Sequence, residues 1–376
     1  MLIALRLALW GLLAVLAADT LRRVYSVGRT LNDDFVAAVV LGCMGFYGLQ
    51  ALASPAALLP LWALGMVGIW GLFFCIEGDQ PRGPLLRRGL AWPSQVAYAF
   101  ALWGGLAWLI RAPLAWLLDA PVAWAGATFL VPAGLALLGT VQAATRGLRV
   151  TRHSVQGLPG RLVQLSDLHA SAVMHRPELD PLIDAVNALE PELVVVTGDL
   201  VMPFSEASHG YLIEALQRLD APVVCCPGNH DLPVLERLVE ELAEAGVPLL
   251  VDEAVERAGF HVSGVNFHWV EAQQELESAL ERLPRGEGFR VLLAHDPRLG
   301  AWLPKGRFEL VLSGHTHGGQ VAANMLGMPI SMLRLMGVRD QGWFDERRHY
   351  VHAGNWLVGL PPRMGVSGEI AVFEPA

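Results

Sequence analysis

Five short apolar runs in the second half of this chain each end on residues that carry chemistry. They are RLVQLS (161–166), LVVVT (193–197), PVVCC (222–226), RVLLA (290–294) and ELVLS (309–313). Continuous apolar runs of this length read as strands buried on both faces. After them come, in turn, Asp167 and His169; Gly198 and Asp199; Gly228, Asn229, His230 and Asp231; His295; and His315 and His317 within SGHTHGG. Between the runs, 178–189, 208–219, 232–245 and 272–282 space their apolar residues as helices do. Strand–helix alternation predicts an α/β sheet domain, to which RHYVHAG and GEIAVFE add later strands. Ligands of such sheets bind at the carboxyl ends of the strands, so these residues are expected to converge at one sheet edge.

Taken singly, Asp167, Asp199 and Asn229 read as caps for the helices that follow them. Taken together with the histidines, they form a set suited to two cations. Imidazole and carboxylate donors suit manganese, iron or zinc better than calcium. Two cations roughly 3.5–4 Å apart need a shared anionic ligand, and the strand-end carboxylate of Asp199 is the natural bridge. Such a pair binds phosphoryl oxygens and ionises water at neutral pH, while a neighbouring histidine protonates the leaving oxygen.

The blocks Asp-x-His, Gly-Asp, Gly-Asn-His-Asp, His and Gly-His-x-His, in this order, resemble the calcineurin-like metallophosphoesterase superfamily. The resemblance covers about 160–376. The stretches SGHTHGGQ and PPRMGVSGEI further resemble a bacterial branch of membrane-associated phosphoesterases. This likeness implies a four-layer α/β/β/α sandwich. It assigns one divalent metal to Asp167, His169, Asp199 and His317, and a second to Asp199, Asn229, His295 and His315. It makes His230 the non-ligand histidine that contacts the phosphoryl group and acts as the acid. Asp231 is then expected to orient that imidazole. Manganese is the expected metal, with iron and zinc as the other choices. Arg363, in PPRMG, is either a contact for a substrate phosphate, which its guanidinium fork fits, or an ordinary surface arginine. The remaining histidines are expected at the surface or in packing, with His352, alongside Asn355 in HAGN, as the exception to watch.

The first half of the chain is of another kind. The whole sequence is 53% hydrophobic, with a mean hydropathy of +0.41. The excess lies in residues 1–145, where 1–18, 35–53, 56–76, 90–110 and 121–143 are apolar enough to predict membrane spans. Arginines cluster after the first (Arg22, Arg23, Arg29), third (Arg82, Arg87, Arg88) and fifth (Arg146, Arg149, Arg152) stretches. With five spans these clusters share one side, so the positive-inside rule predicts a bacterial inner-membrane protein with its catalytic domain facing the cytoplasm. The rival reading takes 1–18 as a cleaved signal peptide, which inverts that orientation.

The expected layout is therefore an α-helical multi-pass membrane domain at 1–145, an Arg- and Gly-rich linker at 146–159, and a metallophosphoesterase domain at 160–376. The last part carries 16 basic against 30 acidic residues. That balance argues against nucleic acid as a partner, because backbone binding depends on neutralising phosphates. A hydrolase tethered to the bilayer points to a phosphate ester carried on a lipid. The alternative is a non-catalytic membrane scaffold or sensor that uses the same fold for binding. Four of the ten methionines, Met325, Met328, Met332 and Met336, follow the last histidine motif, where they read as a lid or as ordinary loop packing.

Overall fold

The computed structural model describes residues 2–24, 41–50, 59–76, short pieces between 84 and 141, and 147–376 apart from 173, 203–206, 269–272, 305, 320–321, 326–327, 347, 356–362 and 364. The chain divides into two compact units, 1–145 with 359–363, and 146–358 with 364–376.

Two sheets build the larger unit. The first runs β1 (Leu148–Val155), β13 (Gly368–Pro375), β2 (Leu162–Leu165), β3 (Leu193–Thr197), β4 (Val223–Cys226) in spatial order. The second runs β11 (Gly342–Phe344), β12 (His349–Val351), β8 (Leu310–Ser313), β7 (Phe289–Leu293), β6 (Phe260–Gly264), β5 (Glu253–Arg257). A small hairpin pairs β9 (Ala322–Met325) with β10 (Met328–Ser331). Strands β2, β3 and β4 are parallel neighbours, as are β7 and β8. Their carboxyl ends are the points at which the polar motifs begin.

Side chains alternate across each strand, and the alternation sorts them into three apolar layers. Val163, Leu165, Val194, Val196 and Cys225 pack against helices Arg176–Asn187, Ala207–Gln217 and Leu235–Glu244. Those helices turn Leu179, Leu182, Leu212, Leu238 and Leu242 toward the sheet, at the three- and four-residue spacing of one helix face. Leu162, Leu193, Val195, Val224 and Cys226 face the other way, onto Val262, Val291, Leu293, Leu310 and Leu312 of the second sheet. Leu292 and Val311 lie on that sheet's outer face with Leu276 and Leu280 of helix Gln273–Arg282. The order is helix, sheet, sheet, helix. Cys225 and Cys226, adjacent in β4, fall in different layers and are free thiols.

The segment expected as a linker contains a strand. Residues 148–155 pair in parallel with β13 over their whole length, from Leu148 opposite Gly368 to Val155 opposite Pro375. The Arg and Gly content of 146–159 reads as linker, but within it Thr151, His153 and Val155 turn inward while Arg152 and Ser154 face out. That is the pattern of an edge strand with a charged outer face.

The expected multi-pass membrane domain is overturned. Among the described residues, no helix is long and apolar enough to cross a membrane. The helix Leu2–Val24 carries Arg6, Asp19, Arg22 and Arg23 along its length. Asp19 accepts a hydrogen bond from Trp70 Nε1 at 2.9 Å, on the helix Leu59–Ile76. That second helix has 18 residues, about 27 Å at the usual rise, against a hydrocarbon core of about 30 Å. It buries Trp62, Met66 and Ile69, and Trp62 belongs to an aromatic cluster with Phe46, Tyr47 and Phe100. Trp62, Met66 and Ile69, which suggested lipid contact, are here used in packing. The stretches 90–110 and 121–143 lie for the most part outside the described residues.

Candidate metal centre

Each strand end hands its polar residues to one point by way of an unusual backbone. Asp167, His169, Asp199, His315 and His317 all adopt left-handed conformations, with φ of 57°, 45°, 53°, 72° and 48°. Such conformations disfavour residues with a Cβ and persist where the surroundings hold them. Here backbone hydrogen bonds do so. Asp167 N donates to Gly198 O (3.0 Å) and His169 N to Asp199 O (2.9 Å). His315 N donates to the Asp167 carboxylate (3.1 Å), and His230 N to Asp199 Oδ1 (2.9 Å). Turning the chain sharply after each strand aims alternate side chains at one spot.

Two glycines make the approach close enough. Gly198 has φ 83°, and a Cβ there would run into the His295 ring and sit 2.8 Å from Gly228 N. A Cβ on Gly314 would collide with Ser166 Oγ and lie 2.7 Å from Asp167 Oδ2.

The result is two groups of donor atoms. Asp167, His169, Asp199 and His317 each offer one atom, all within 4.8 Å of one another, and Asp199, His295 and His315 do the same. In the first group His317 Nε2 is 3.2 Å from Asp167 Oδ1 and 3.4 Å from His169 Nε2. Asp199 belongs to both. Its Oδ2 lies 3.5 Å from His169 Nε2 and 3.3 Å from His295 Nε2.

The donors fit a cation on their own chemistry. Asn229 Oδ1 is buried and accepts no hydrogen bond, which is costly for a polar atom without a ligand. His295 Nδ1 donates to Thr197 O at 2.6 Å, which aims Nε2 at Asp199. Burial opposes charge on His295, but Asp199 and Asp167 outweigh it and raise the imidazole to about 10. Burial likewise opposes charge on Asp167, yet His317 beside it holds the carboxyl below the usual range. His315 is pushed down to about 4 by burial and by His295. A site that holds carboxylates charged and packs imidazoles around them is built for positive charge. Its character is that of a divalent metal site.

His230 stands beside the first group, partly exposed, with its ring edge-on to His169 at 4.9 Å. The expectation that Asp231 orients this imidazole does not hold. Asp231 is fully buried and accepts from Leu200 N (2.9 Å), Val201 N (3.0 Å) and Gly228 N (2.8 Å). Its carboxylate is consumed in tying the β3 and β4 loops together. Burial, with Asp199 nearby, lifts its pKa to about 7 despite those donors. Arg363 is buried rather than a surface arginine.

Three further residues contribute, and of these the sequence pointed only to Asn355. Asn355 Oδ1 accepts from Ser166 N at 2.8 Å while its Nδ2 donates to Glu369 O at 2.6 Å, fixing the start of the Asp167 turn against β13. The place of HAGN beside the final strands was the available signal. Phe267 packs its ring 5.9 Å from His295 and 5.6 Å from His315, an apolar wall on the second group. Asp340, buried, accepts from Ser331 Oγ (2.7 Å) and Arg334 Nε (2.8 Å), and its carbonyl accepts from Thr316 Oγ1 between the two motif histidines. It anchors the methionine-bearing segment, where Leu335 and Met336 are exposed.

Residues 160–319 match the family model described as calcineurin-like phosphoesterase. A metallophosphoesterase of Helicobacter pylori is 27% identical over 222 residues, 57% of this chain and 59% of that protein, so the chain spans less than two thirds of that relative. The metallophosphoesterase YkuE of Bacillus subtilis is 29% identical over 248 residues, covering 60% of this chain and 85% of that one. The phosphodiesterase YaeI of Escherichia coli is 28% identical over 228 residues, covering 57% and 82%.

Proposed function

We infer, from a chain whose residues 160–319 belong to the calcineurin-like metallophosphoesterase superfamily, that this protein is a hydrolase of phosphate esters working through two divalent metal ions. One observation supports the reading above the others, namely that Asp199 is common to both donor groups. A single carboxylate facing two cation positions is what a dinuclear centre needs to offset cation–cation repulsion. On this reading Asp167, His169, Asp199 and His317 hold one ion, and Asp199, Asn229, His295 and His315 the other. Mixed imidazole and carboxylate donors suit manganese, iron or zinc better than calcium, and manganese is the ion to test first. When bound, the ions supply Lewis acidity toward a phosphoryl oxygen and toward water.

The chain's own residues supply the rest. The buried strand ends form a rigid floor, so the donors are preorganised. His230, partly open to solvent beside this floor, is the group placed to give a proton to the departing oxygen. Phe267 keeps water from one side of the second group. The name of the Escherichia coli relative points to phosphodiesters as the substrate class to test first. The lipid-linked substrate expected from the sequence rested on a membrane anchor, and the described residues give it no support.

The test uses the full chain with added Mn²⁺, assayed on bis-p-nitrophenyl phosphate and p-nitrophenyl phosphate. The reading predicts metal-dependent turnover, faster on the diester, and a loss of about 100-fold or more in His317→Ala. Turnover that is indifferent to chelator and to this substitution would contradict it.

A further inference from the structure

The donors come from both sheets. Asp167, His169, Asp199 and Asn229 follow strands of the first, and His295, His315 and His317 follow strands of the second. The spacing of the cluster therefore depends on how the two sheets are held together just beneath it. Apolar contacts fill the layer between them, and such contacts are non-directional. They do not by themselves fix the sliding of one strand end against another.

Gln164 lies in this layer. It is the fourth residue of RLVQLS, a run otherwise apolar from Leu162 to Leu165, and it is completely buried. It sits two residues beyond Leu162, hence on the same face, toward the second sheet. Its Nε2 donates to Thr197 Oγ1 at 2.9 Å and to Ser313 O at 3.0 Å. Thr197 is the last residue of β3 and Ser313 the last of β8. One amide nitrogen thus joins three strand ends across the two sheets. The carbonyl of Thr197 in turn accepts from His295 Nδ1 (2.6 Å) and Ser166 Oγ (3.1 Å), so the same residue orients one donor and holds the residue before another. Two residues beyond Ser313 stands His315.

This arrangement has a cost. Gln164 Oε1 is buried and accepts no hydrogen bond. An unsatisfied buried amide oxygen lowers stability, whereas the acceptors that Gln164 serves have other partners. Ser313 O also accepts from His352 N at 2.8 Å, and Thr197 Oγ1 lies 3.4 Å from Leu165 O. Packing alone would favour an apolar residue here.

We propose that Gln164 is a positioning residue, whose amide clamps the ends of β2, β3 and β8 and so sets the separation of the two donor groups. The proposal rests on reading the cluster as a two-metal centre. It makes stability and metal binding respond in opposite directions to the same substitution.

The experiment compares the full chain with Gln164→Met, which keeps the length and removes both donated bonds, and Gln164→Ala, which also removes the bulk. Thermal unfolding is measured in chelator, Mn²⁺ affinity by titration calorimetry, and kcat and KM on bis-p-nitrophenyl phosphate. The clamp predicts that metal-free Gln164→Met unfolds at or above the wild-type temperature. It nevertheless binds Mn²⁺ about tenfold or more weakly, and loses about tenfold or more in kcat with KM nearly unchanged. Gln164→Ala is lower than wild type in all of these except KM. If Gln164→Met keeps Mn²⁺ affinity and kcat within about twofold of wild type, Gln164 is only a core filler and the proposal is overturned. If the wild-type protein itself takes up no Mn²⁺, the two-metal reading fails, and hydrogen exchange of the metal-free proteins judges the clamp alone. Faster exchange in Gln164→Met over 162–170 and 310–317 supports it, and unchanged exchange overturns it.

Discussion

Asp199 shows how much a single residue carries here. Its backbone is left-handed, its carbonyl receives His169 N, and its two carboxylate oxygens face His230 N on one side and two imidazoles on the other. The identity of this residue was legible in GD after a buried run. Its backbone conformation was not, because a left-handed turn at a non-glycine residue is imposed by tertiary hydrogen bonds. Asp231 teaches the converse. Adjacency to His230 in sequence invited a partnership, but in the fold its carboxylate is taken by three backbone N–H groups. His349 is buried, accepts from Arg339 Nη1 at 2.7 Å, and shares a hydrogen bond with Ser313 Oγ at 2.8 Å. Burial and the neighbouring guanidinium hold its imidazole near 3, against an ordinary 6.5. The unfolded chain takes up this proton below its ordinary pKa and the folded chain does not. His349 thus contributes stability above that value, lost progressively as pH falls toward 3, by at most ~1.4 kcal/mol per pH unit. Urea unfolding of His349→Gln at pH 7, 5.5 and 4 should show lower stability at pH 7 and a shallower fall in acid than wild type. An acid limb of the same slope would show that His349 does not titrate on unfolding.

At the scale of elements, the continuous apolar runs made the strands legible. β2, β3, β4, β7 and β8 fall within a residue or so of the runs that predicted them. Period and length sufficed because each is buried on both faces. The helices were legible because each buries one face at three- and four-residue spacing, with ends displaced by up to three residues at caps that tertiary contacts decide. β1 was missed because an edge strand buries only one face, and its arginines resembled those of a linker. The turns after the strands are where backbone geometry and chemistry meet, and Gly198 combines a left-handed φ with close approach of the His295 ring. Gly198→Ala should destabilise the protein by about 2 kcal/mol, from the left-handed φ and the clash with His295. It should also weaken Mn²⁺ binding, by displacing that imidazole. Urea unfolding and metal titration of the same sample check both effects. A variant as stable as wild type would mean the turn has room that this structure does not show. In the layer between the sheets, Leu162→Ala should cost about 3 kcal/mol, the usual loss for a fully buried leucine.

For the molecule as a whole, the excess of acidic residues from 160 onward was plain in the sequence, and carboxylates gathered at one edge suit a site for cations. The membrane reading of residues 1–145 came from composition and arginine placement. Composition reports how apolar a segment is and not what its side chains meet, and the two long described helices place Trp70 against Asp19 and Trp62 among other aromatic rings. Bound metal should be part of the larger unit's stability. Removing it with chelator should lower the unfolding free energy by about 2.7 kcal/mol for each site held at a hundredfold excess over its Kd. The central claim, that one carboxylate joins two cation positions, is tested most directly by counting metal. The full chain and Asp199→Asn are each reconstituted with Mn²⁺, freed of excess ion, and analysed by inductively coupled plasma mass spectrometry. The account predicts about two Mn²⁺ per wild-type chain and less than one in Asp199→Asn, since both positions lose the shared anion. A wild-type chain that holds no metal, or an Asp199→Asn variant that holds as much as wild type, would contradict it.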